Sequence, residues 1–168
     1  MSEFNDLEFM EVEVASILAA QIVGKSSPDP SDIAQAMSAA FDALMAFVET
    51  GQLIPAGPPR SIYTSYDPDG VRFVVAVPVV QPGGELKTEG PGSVEPIAGG
   101  SAMRFTHRGP YNGLMKTYGR ITEFLKAQGF MQSEADWLKY MPMWEEYLND
   151  PHTTPEADLL TYIYLPKV

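Results

Sequence analysis

The chain has 168 residues, of which 45% are hydrophobic and 20% charged, an ordinary balance for one folded globular unit and too apolar for a disordered chain. Its 22 acidic residues outnumber its 11 basic ones, and the net charge of −11 disfavours direct binding to nucleic acid or to anionic membrane surfaces. The absence of cysteine excludes disulfides, a thiolate nucleophile and cysteine-ligated zinc.

The start of the chain bears on its location in the cell. Five acidic residues lie between positions 3 and 13, ahead of the apolar run Ile17–Val23, whereas a secretory signal begins with a basic leader. No apolar stretch approaches the roughly 20 residues of a membrane span. We therefore expect a cytoplasmic protein that does not enter a membrane.

The first predicted element is a strand. Met10, Val12 and Val14 alternate with glutamates, which indicates a half-buried strand that Ser16–Val23 can continue. A helix over Ala15–Gln21 is the alternative, because that stretch contains no helix breaker.

A helix is predicted to begin after Asp29. Asp29 can cap it, Pro30 suits the first helical position and Asp32 adds negative charge to the first turn. Gly51 closes the helix, and the residues that share its apolar face are Ile33, Met37, Ala40, Phe41, Leu44, Phe47 and Val48.

The next predicted element is a hairpin, after a loop over Ile54–Pro59 that contains three prolines and a glycine. Its strands are Ser61–Asp67 and Val71–Val79, and they are joined through Asp67-Pro68-Asp69-Gly70. A glycine- and proline-rich connector follows over Gln81–Gly100, with short extended pieces predicted at Glu85–Thr88 and Val94–Ile97.

The second half of the chain repeats this pattern. A strand over Met103–His107 ends at a sharp break, a helix runs from Tyr111 to a terminating Gly129, and two strands follow at Met143–Leu148 and Leu159–Leu165. The segments that match between the halves are Phe41–Val48 with Tyr118–Leu125, Asp67-Pro68 with Asp150-Pro151, and Pro78 with Pro166.

This repeat predicts an α+β fold in a single domain over residues 1–168. Repeat 1 spans about residues 7–80, the connector 81–100 and repeat 2 about 101–168. Two strand-helix-strand-strand modules would pair about a pseudo-twofold axis, with antiparallel sheets flanking a central ligand cleft and helices covering the other faces.

Two segments resemble a known family. Residues 98–111, which end in HRGPY, and WEEYLNDPHTTPEADLLTYIYLPK from Trp144 to Lys167 are similar to the GyrI-like small-molecule-binding domains. These domains also serve as effector-binding halves of AraC-type and MerR-type regulators. The resemblance implies a ligand cleft, in a stand-alone form without the DNA-binding segment of those regulators.

The resemblance also implies roles for acidic positions. At the position of Tyr162, relatives often carry a glutamate that is associated with cationic ligands and, in some members, with hydrolysis. Val74 is the residue of the first repeat that corresponds to Tyr162. Glu145 matches the acidic position of the family on the preceding strand and shares a strand face with Tyr147. Glu145 and Glu146 are therefore the candidate catalytic acids, and the alternative is that both are solvated charges on an edge strand.

Aromatic residues are abundant near the ends of the two repeats and suit a cleft that takes mixed ligands. The predicted ligand-binding residues are Tyr63, Val74, His107, Tyr111, Trp144, Glu145, Tyr147, Tyr162 and Tyr164. For Tyr111, core packing on the helix is the alternative role, and for His107 it is a hydrogen-bonded position in the core. Two histidines without cysteine give no convincing metal site, and we expect no cofactor.

The predicted function is a small-molecule-binding protein that senses or sequesters amphipathic or aromatic ligands, including cations. The alternatives are a hydrolase of strained electrophiles of the cyclopropanoid type and a protein-binding factor like the gyrase inhibitor after which the family is named. Neither nucleic acid nor a membrane is an expected partner. The sequence identifies no protein partner.

Overall fold

The computed structural model describes residues 4–80 and 92–167, and it confirms the α+β class. Eight antiparallel strands form one sheet in the order β1-β6-β8-β7-β3-β4-β2-β5. The elements are β1 (Glu8–Val14), β2 (Ile17–Ser26), α1 (Pro30–Thr50), β3 (Arg60–Asp67), β4 (Gly70–Pro78), β5 (Ser93–Ile97), β6 (Gly100–Arg108), α2 (Leu114–Ala127), β7 (Met143–Tyr147) and β8 (Leu160–Pro166). Three short 3-10 turns lie at Tyr111–Gly113, Glu134–Tyr140 and Glu156–Asp158.

Local signals place α1 and the first hairpin as predicted. The Asp29 carboxylate accepts hydrogen bonds from the backbone N–H groups of Ser31 at 2.9 Å and Asp32 at 3.3 Å, which caps α1. In the hairpin, Asp67 accepts from the N–H of Gly70 at 3.2 Å, and Gly70 has a φ of +152° that other residues rarely adopt. The predicted strand at Val94–Ile97 is confirmed as β5, whereas Glu85–Thr88 lies outside the described residues.

The strand interpretation of the N-terminal segment is confirmed, and the helix over Ala15–Gln21 is wrong. β2 pairs with β4 on one side and with β5 on the other, which fully buries Ala19 and Ala20. β1 pairs instead with β6, so only Ala15 and Ser16 link two strands that belong to different parts of the sheet.

The two halves have equivalent strand orders. Each has the succession strand, helix, strand, strand, as β2-α1-β3-β4 and as β6-α2-β7-β8. Their strands join into one sheet where β3 pairs with β7, and at this seam Ser61 lies directly opposite Glu145. β1 falls within the predicted repeat 1 but joins the strands of the second half, and β5 comes from the predicted connector and pairs with β2.

Both α-helices pack on the same side of the sheet. Leu44 of α1 packs with Phe73 and Val75 of β4, and Leu125 of α2 packs with Ile163 of β8. The strand registers place these buried residues on one side together with Ser61 and Glu145. We call this side the helix face and the opposite side the open face.

This arrangement differs from the expectation that the helices cover the sheet faces turned away from the cleft. The helices instead flank the central strands β3 and β7 on the face that carries Glu145. In the described residues, no helix combines the length and the apolar character that a membrane span requires.

Candidate functional site

Glu145 lies at the centre of the helix face. It occupies the middle of β7, between Ser61 of β3 and Ile163 of β8, and only 4% of its surface is exposed. The interpretation of Glu145 and Glu146 as solvated charges on an edge strand is therefore wrong, because β7 has a paired strand on each side. A carboxylate in such a position needs compensating polar contacts.

Two tyrosines supply these contacts. The Tyr118 hydroxyl donates to Glu145 Oε2 at 2.5 Å, and the Tyr147 hydroxyl donates to Oε1 at 2.7 Å. Burial raises the pKa of both phenols far above the usual value, and the charge of Glu145 raises it further, so both remain protonated donors.

A chain of polar contacts extends from Glu145 to both helices. Tyr118 belongs to α2, while the Tyr147 hydroxyl lies 2.9 Å from Ser61 Oγ, which in turn lies 3.1 Å from the Met37 sulfur of α1. The carboxylate is thus linked to α1 through Ser61 and to α2 through Tyr118.

Opposing effects act on the protonation of Glu145. Burial raises the pKa of the Glu145 carboxyl, while the hydrogen bonds from Tyr118 and Tyr147 and the proximity of His107 lower it. Among the described residues, no lysine or arginine forms an ion pair with Glu145. The site therefore holds a buried acid that hydroxyl groups stabilise and no strong cation neutralises.

Aromatic rings surround this acid. The Tyr147 ring makes edge contacts with Phe41 of α1, at a centroid distance of 5.9 Å, and with Tyr111, at 5.5 Å. Tyr118 contacts Trp137 at 5.9 Å. Phe41 was not among the predicted ligand residues, because its place in the apolar stripe of α1 gave no sign that it would reach Tyr147.

Tyr63 and His107 also lie near Glu145. Burial and the charge of Glu145 raise the pKa of Tyr63. His107 is buried; its Nε2–H donates to the Pro110 carbonyl at 2.9 Å, and its Nδ1 lies 2.7 Å from the Thr117 hydroxyl oxygen. His107 thereby fixes the turn that carries Tyr111 into α2.

The nine predicted ligand residues divide between the two faces of the sheet. Those on or beside the helix face are Tyr63, His107, Tyr111, Glu145 and Tyr147, and those on the open face are Val74, Trp144, Tyr162 and Tyr164. Glu146, the second candidate acid, also faces the open side, where it accepts from the Tyr164 hydroxyl at 3.2 Å. The two groups cannot line one cleft, because successive residues of a strand point to opposite faces.

A separate concavity of about 420 Å³ lies beside β1. Its lining residues are Glu11, Met103, Phe130, Lys139, Tyr140 and Lys167. It shares no residue with the group around Glu145. In the described part of the chain, no group of three or more histidine, aspartate or glutamate side chains is placed to hold a metal ion.

Comparisons with known proteins agree with this architecture. The crystal structure of the EcmrR C-terminal domain has a TM-score of 0.72 and 17% identity, over 95% of this chain and 96% of that one. The structure of SAV2435 bound to tetraphenylphosphonium has a TM-score of 0.64 and 12% identity, over 95% and 93% of the two chains. A structure of a hydrolase from Listeria innocua has a TM-score of 0.55 and 15% identity, over 95% and 91%.

At these identities the structural matches show the fold alone, and no curated sequence matches the chain. The family model described as the GyrI-like small molecule binding domain matches residues 8–167, which is nearly the whole sequence and confirms the resemblance drawn from its motifs. The chain belongs to the GyrI-like small-molecule-binding domain family.

Proposed function

We propose that this protein senses or sequesters amphipathic aromatic cations, which it binds at Glu145 between α1 and α2. The observation that carries the proposal is the buried carboxylate, whose two oxygens accept from phenols while no described lysine or arginine pairs with it. A buried charge without a counter-ion is costly, and a cationic ligand would supply that counter-ion.

The surrounding rings favour a delocalised organic cation over a small inorganic one. Tyr147 contacts both Phe41 and Tyr111 beside the carboxylate, and aromatic faces attract cations within about 6 Å. A large cation that carries its own rings would gain both stacking and charge neutralisation. Tetraphenylphosphonium, the ligand of one structural neighbour, has this chemistry and is a suitable probe.

A ligand must displace part of this cover to reach the carboxylate. Glu145 is 4% exposed, whereas Phe41 and Tyr111 are half-buried. Tyr111 lies in the 3-10 turn ahead of α2 rather than in a long helix. We therefore expect Tyr111 and Phe41 to move when the ligand enters.

Trp137 offers a direct readout of this site. Its ring contacts Tyr118, and its indole N–H donates to Thr122 Oγ1 at 3.1 Å. Titration with tetraphenylphosphonium should shift the indole N–H signal of Trp137 in ¹H–¹⁵N NMR spectra in a saturable manner. Glu145→Gln should weaken binding at least about tenfold, because the neutral amide gives no counter-charge.

Glu146→Gln is the matched control, since it removes the neighbouring acid from the opposite face of the same strand. It should leave the affinity within about twofold of the wild-type value, because this carboxylate projects away from the site on the other side of the sheet. The proposal fails if no saturable shift occurs, or if the two variants weaken binding equally.

A hydrolase of strained electrophiles is the second candidate. The raised pKa of Glu145 and its contacts with two phenols would suit a carboxylate that acts as a general base and accepts a proton from an attacking water. Incubation with cyclopropane- or ester-containing electrophiles, followed by mass spectrometry, tests this. Multiple turnovers that Glu145→Gln abolishes would establish the enzyme, and binding without product would exclude turnover of those compounds.

A further inference from the structure

The open face carries a second group of aromatic and charged side chains. Trp144 of β7 stacks on Tyr164 of β8, with centroids 4.9 Å apart and planes 11° apart. The Arg60 guanidinium lies 5.5 Å from the centroid of the Trp144 ring, and that of Arg104 lies 4.2 Å from the centroid of Tyr162. The two guanidinium groups thus lie at opposite ends of the row formed by the rings of Trp144, Tyr164 and Tyr162.

Three N–H donors in this group lack acceptors. Among the described residues, the Nε atoms of Arg60 and Arg104 and the indole nitrogen of Trp144 are buried without a hydrogen-bond partner. A buried donor without an acceptor costs about 1–3 kcal/mol, so three of them in one group call for an explanation. A ligand that supplies acceptor oxygens would provide one.

The two arginines are not equivalent. Arg60 is 5% exposed and pairs with Glu146, with its Nη2 3.7 Å from the nearest carboxylate oxygen. The same carboxylate also accepts from the Tyr164 hydroxyl. Arg104 forms no ion pair with any described carboxylate; it interacts with the Tyr164 hydroxyl, and its Nη2 contacts the sulfur of Met10 at 2.7 Å. A thioether is a weak acceptor, so a carboxylate would displace it from Arg104.

We propose that the open face binds a planar aromatic carboxylate, with the carboxylate on Arg104 and the rings extending toward Trp144. Displacement of the Met10 sulfur would expose the edge of the Arg104 guanidinium that presents Nε–H and Nη2–H, and this edge matches the two oxygens of a carboxylate. Trp144, Tyr164 and Arg104 lie in one cross-strand row, two strand spacings or about 10 Å from end to end. This length fits a two-ring aromatic acid.

The site is independent of Glu145 and has the opposite preference for charge. Glu145 projects from β7 to the helix face, whereas its neighbour Trp144 projects to the open face. No helix packs on the open face in the described residues, where Trp144 and Arg104 are partly buried rather than covered. An anion can therefore reach Arg104 without passing between α1 and α2.

The two tryptophans allow the two sites to be observed separately in one protein. We propose ¹H–¹⁵N NMR titrations of the full chain with 1-naphthoate and with neutral 1-naphthamide, and assignment of the indole signals with Trp137→Phe. Naphthoate should shift the indole signal of Trp144 in a saturable manner and leave that of Trp137 in place. Naphthamide should bind at least about tenfold more weakly, because it cannot form a charged pair with a guanidinium.

Variants of Arg104 complete the test. Arg104→Gln should weaken naphthoate binding at least about tenfold, and Arg104→Lys should weaken it less, because the ammonium keeps the charge but lacks the planar fork. Arg72→Gln removes an exposed cation from the same face and should change affinity by less than about twofold. An unchanged Trp137 signal in each variant shows that the fold is intact.

Three results would overturn the proposal. These are equal binding of naphthoate and naphthamide, undiminished binding to Arg104→Gln, and a naphthoate-induced shift confined to Trp137. The last result would place the anion at the helix face instead.

Discussion

Replacing Tyr118 with phenylalanine tests whether Glu145 is ionised in the folded protein. The substitution removes the donor at 2.5 Å from Oε2 and keeps the ring that contacts Trp137. A hydrogen bond to a charged group contributes about 1.5–3 kcal/mol, against about 0.5–1.5 kcal/mol between neutral groups. We expect Tyr118→Phe to lower the free energy of unfolding by about 1.5–3 kcal/mol, or the Tm by about 3–12 °C for a domain of this size.

A double-mutant cycle identifies the charge as the cause. In the Glu145→Gln background the same substitution breaks a neutral hydrogen bond, so its cost should fall and leave a coupling energy of about 1 kcal/mol or more. The four proteins would be compared by urea unfolding at pH 8. Equal costs of Tyr118→Phe in the two backgrounds would refute an ionised Glu145.

Three further predictions concern pH, the hairpin and nucleic acid. Burial raises the pKa of Glu145 in the folded state, so the wild-type protein should lose stability relative to Glu145→Gln as pH rises from about 4.3 through the folded-state pKa. Urea unfolding at several pH values measures this difference in the free energy of unfolding, and a difference that stays constant with pH would contradict the prediction. Gly70→Ala should destabilise by about 1–3 kcal/mol in urea unfolding, since φ is +152° and a Cβ would lie 2.7 Å from the Ser26 carbonyl oxygen; an unchanged unfolding midpoint would count against it. The charge of −11 predicts no binding to duplex DNA in fluorescence anisotropy near physiological salt, and a saturable rise in anisotropy would disprove this.

The elements that the sequence predicted well depend on neighbouring residues. The cap at Asp29 and the turn at Gly70 each involve contacts within three residues, so the sequence pattern contains the physical cause. The prediction that Glu145 and Tyr147 share a strand face is also confirmed, because it follows from the period of a strand.

The side of the sheet that receives the helices could not be predicted in this way. It depends on the pairing of Ser61 with Glu145, which are 84 positions apart, and on the packing of both helices against the same side. For the same reason, the sequence did not reveal that Tyr118 reaches Glu145. A short apolar-polar alternation defines two faces but does not say which one a distant helix will cover.

The two-residue link between β1 and β2 has a consequence for how the protein can move. These strands are first and seventh in the sheet order, about 29 Å apart if the sheet were flat, yet Val14 and Ile17 can be separated by no more than about 11 Å of chain. The sheet must therefore bend until its opposite ends approach each other. The β1–β6 pairing ends with Val14 opposite Gly100, and the β2–β5 pairing begins in the same register with Ile17 opposite Ile97.

The two halves are thus joined by strand pairing at two places. One is the pairing of β3 with β7, and the other is the continuous ladder in which β1 pairs with β6 and β2 pairs with β5. A hinge between the halves would have to break strand hydrogen bonds at one of these two places. If ligands bind at Glu145 as we propose, their entry would require displacement of α1, of α2 or of the turn that carries Tyr111, over strands that stay paired.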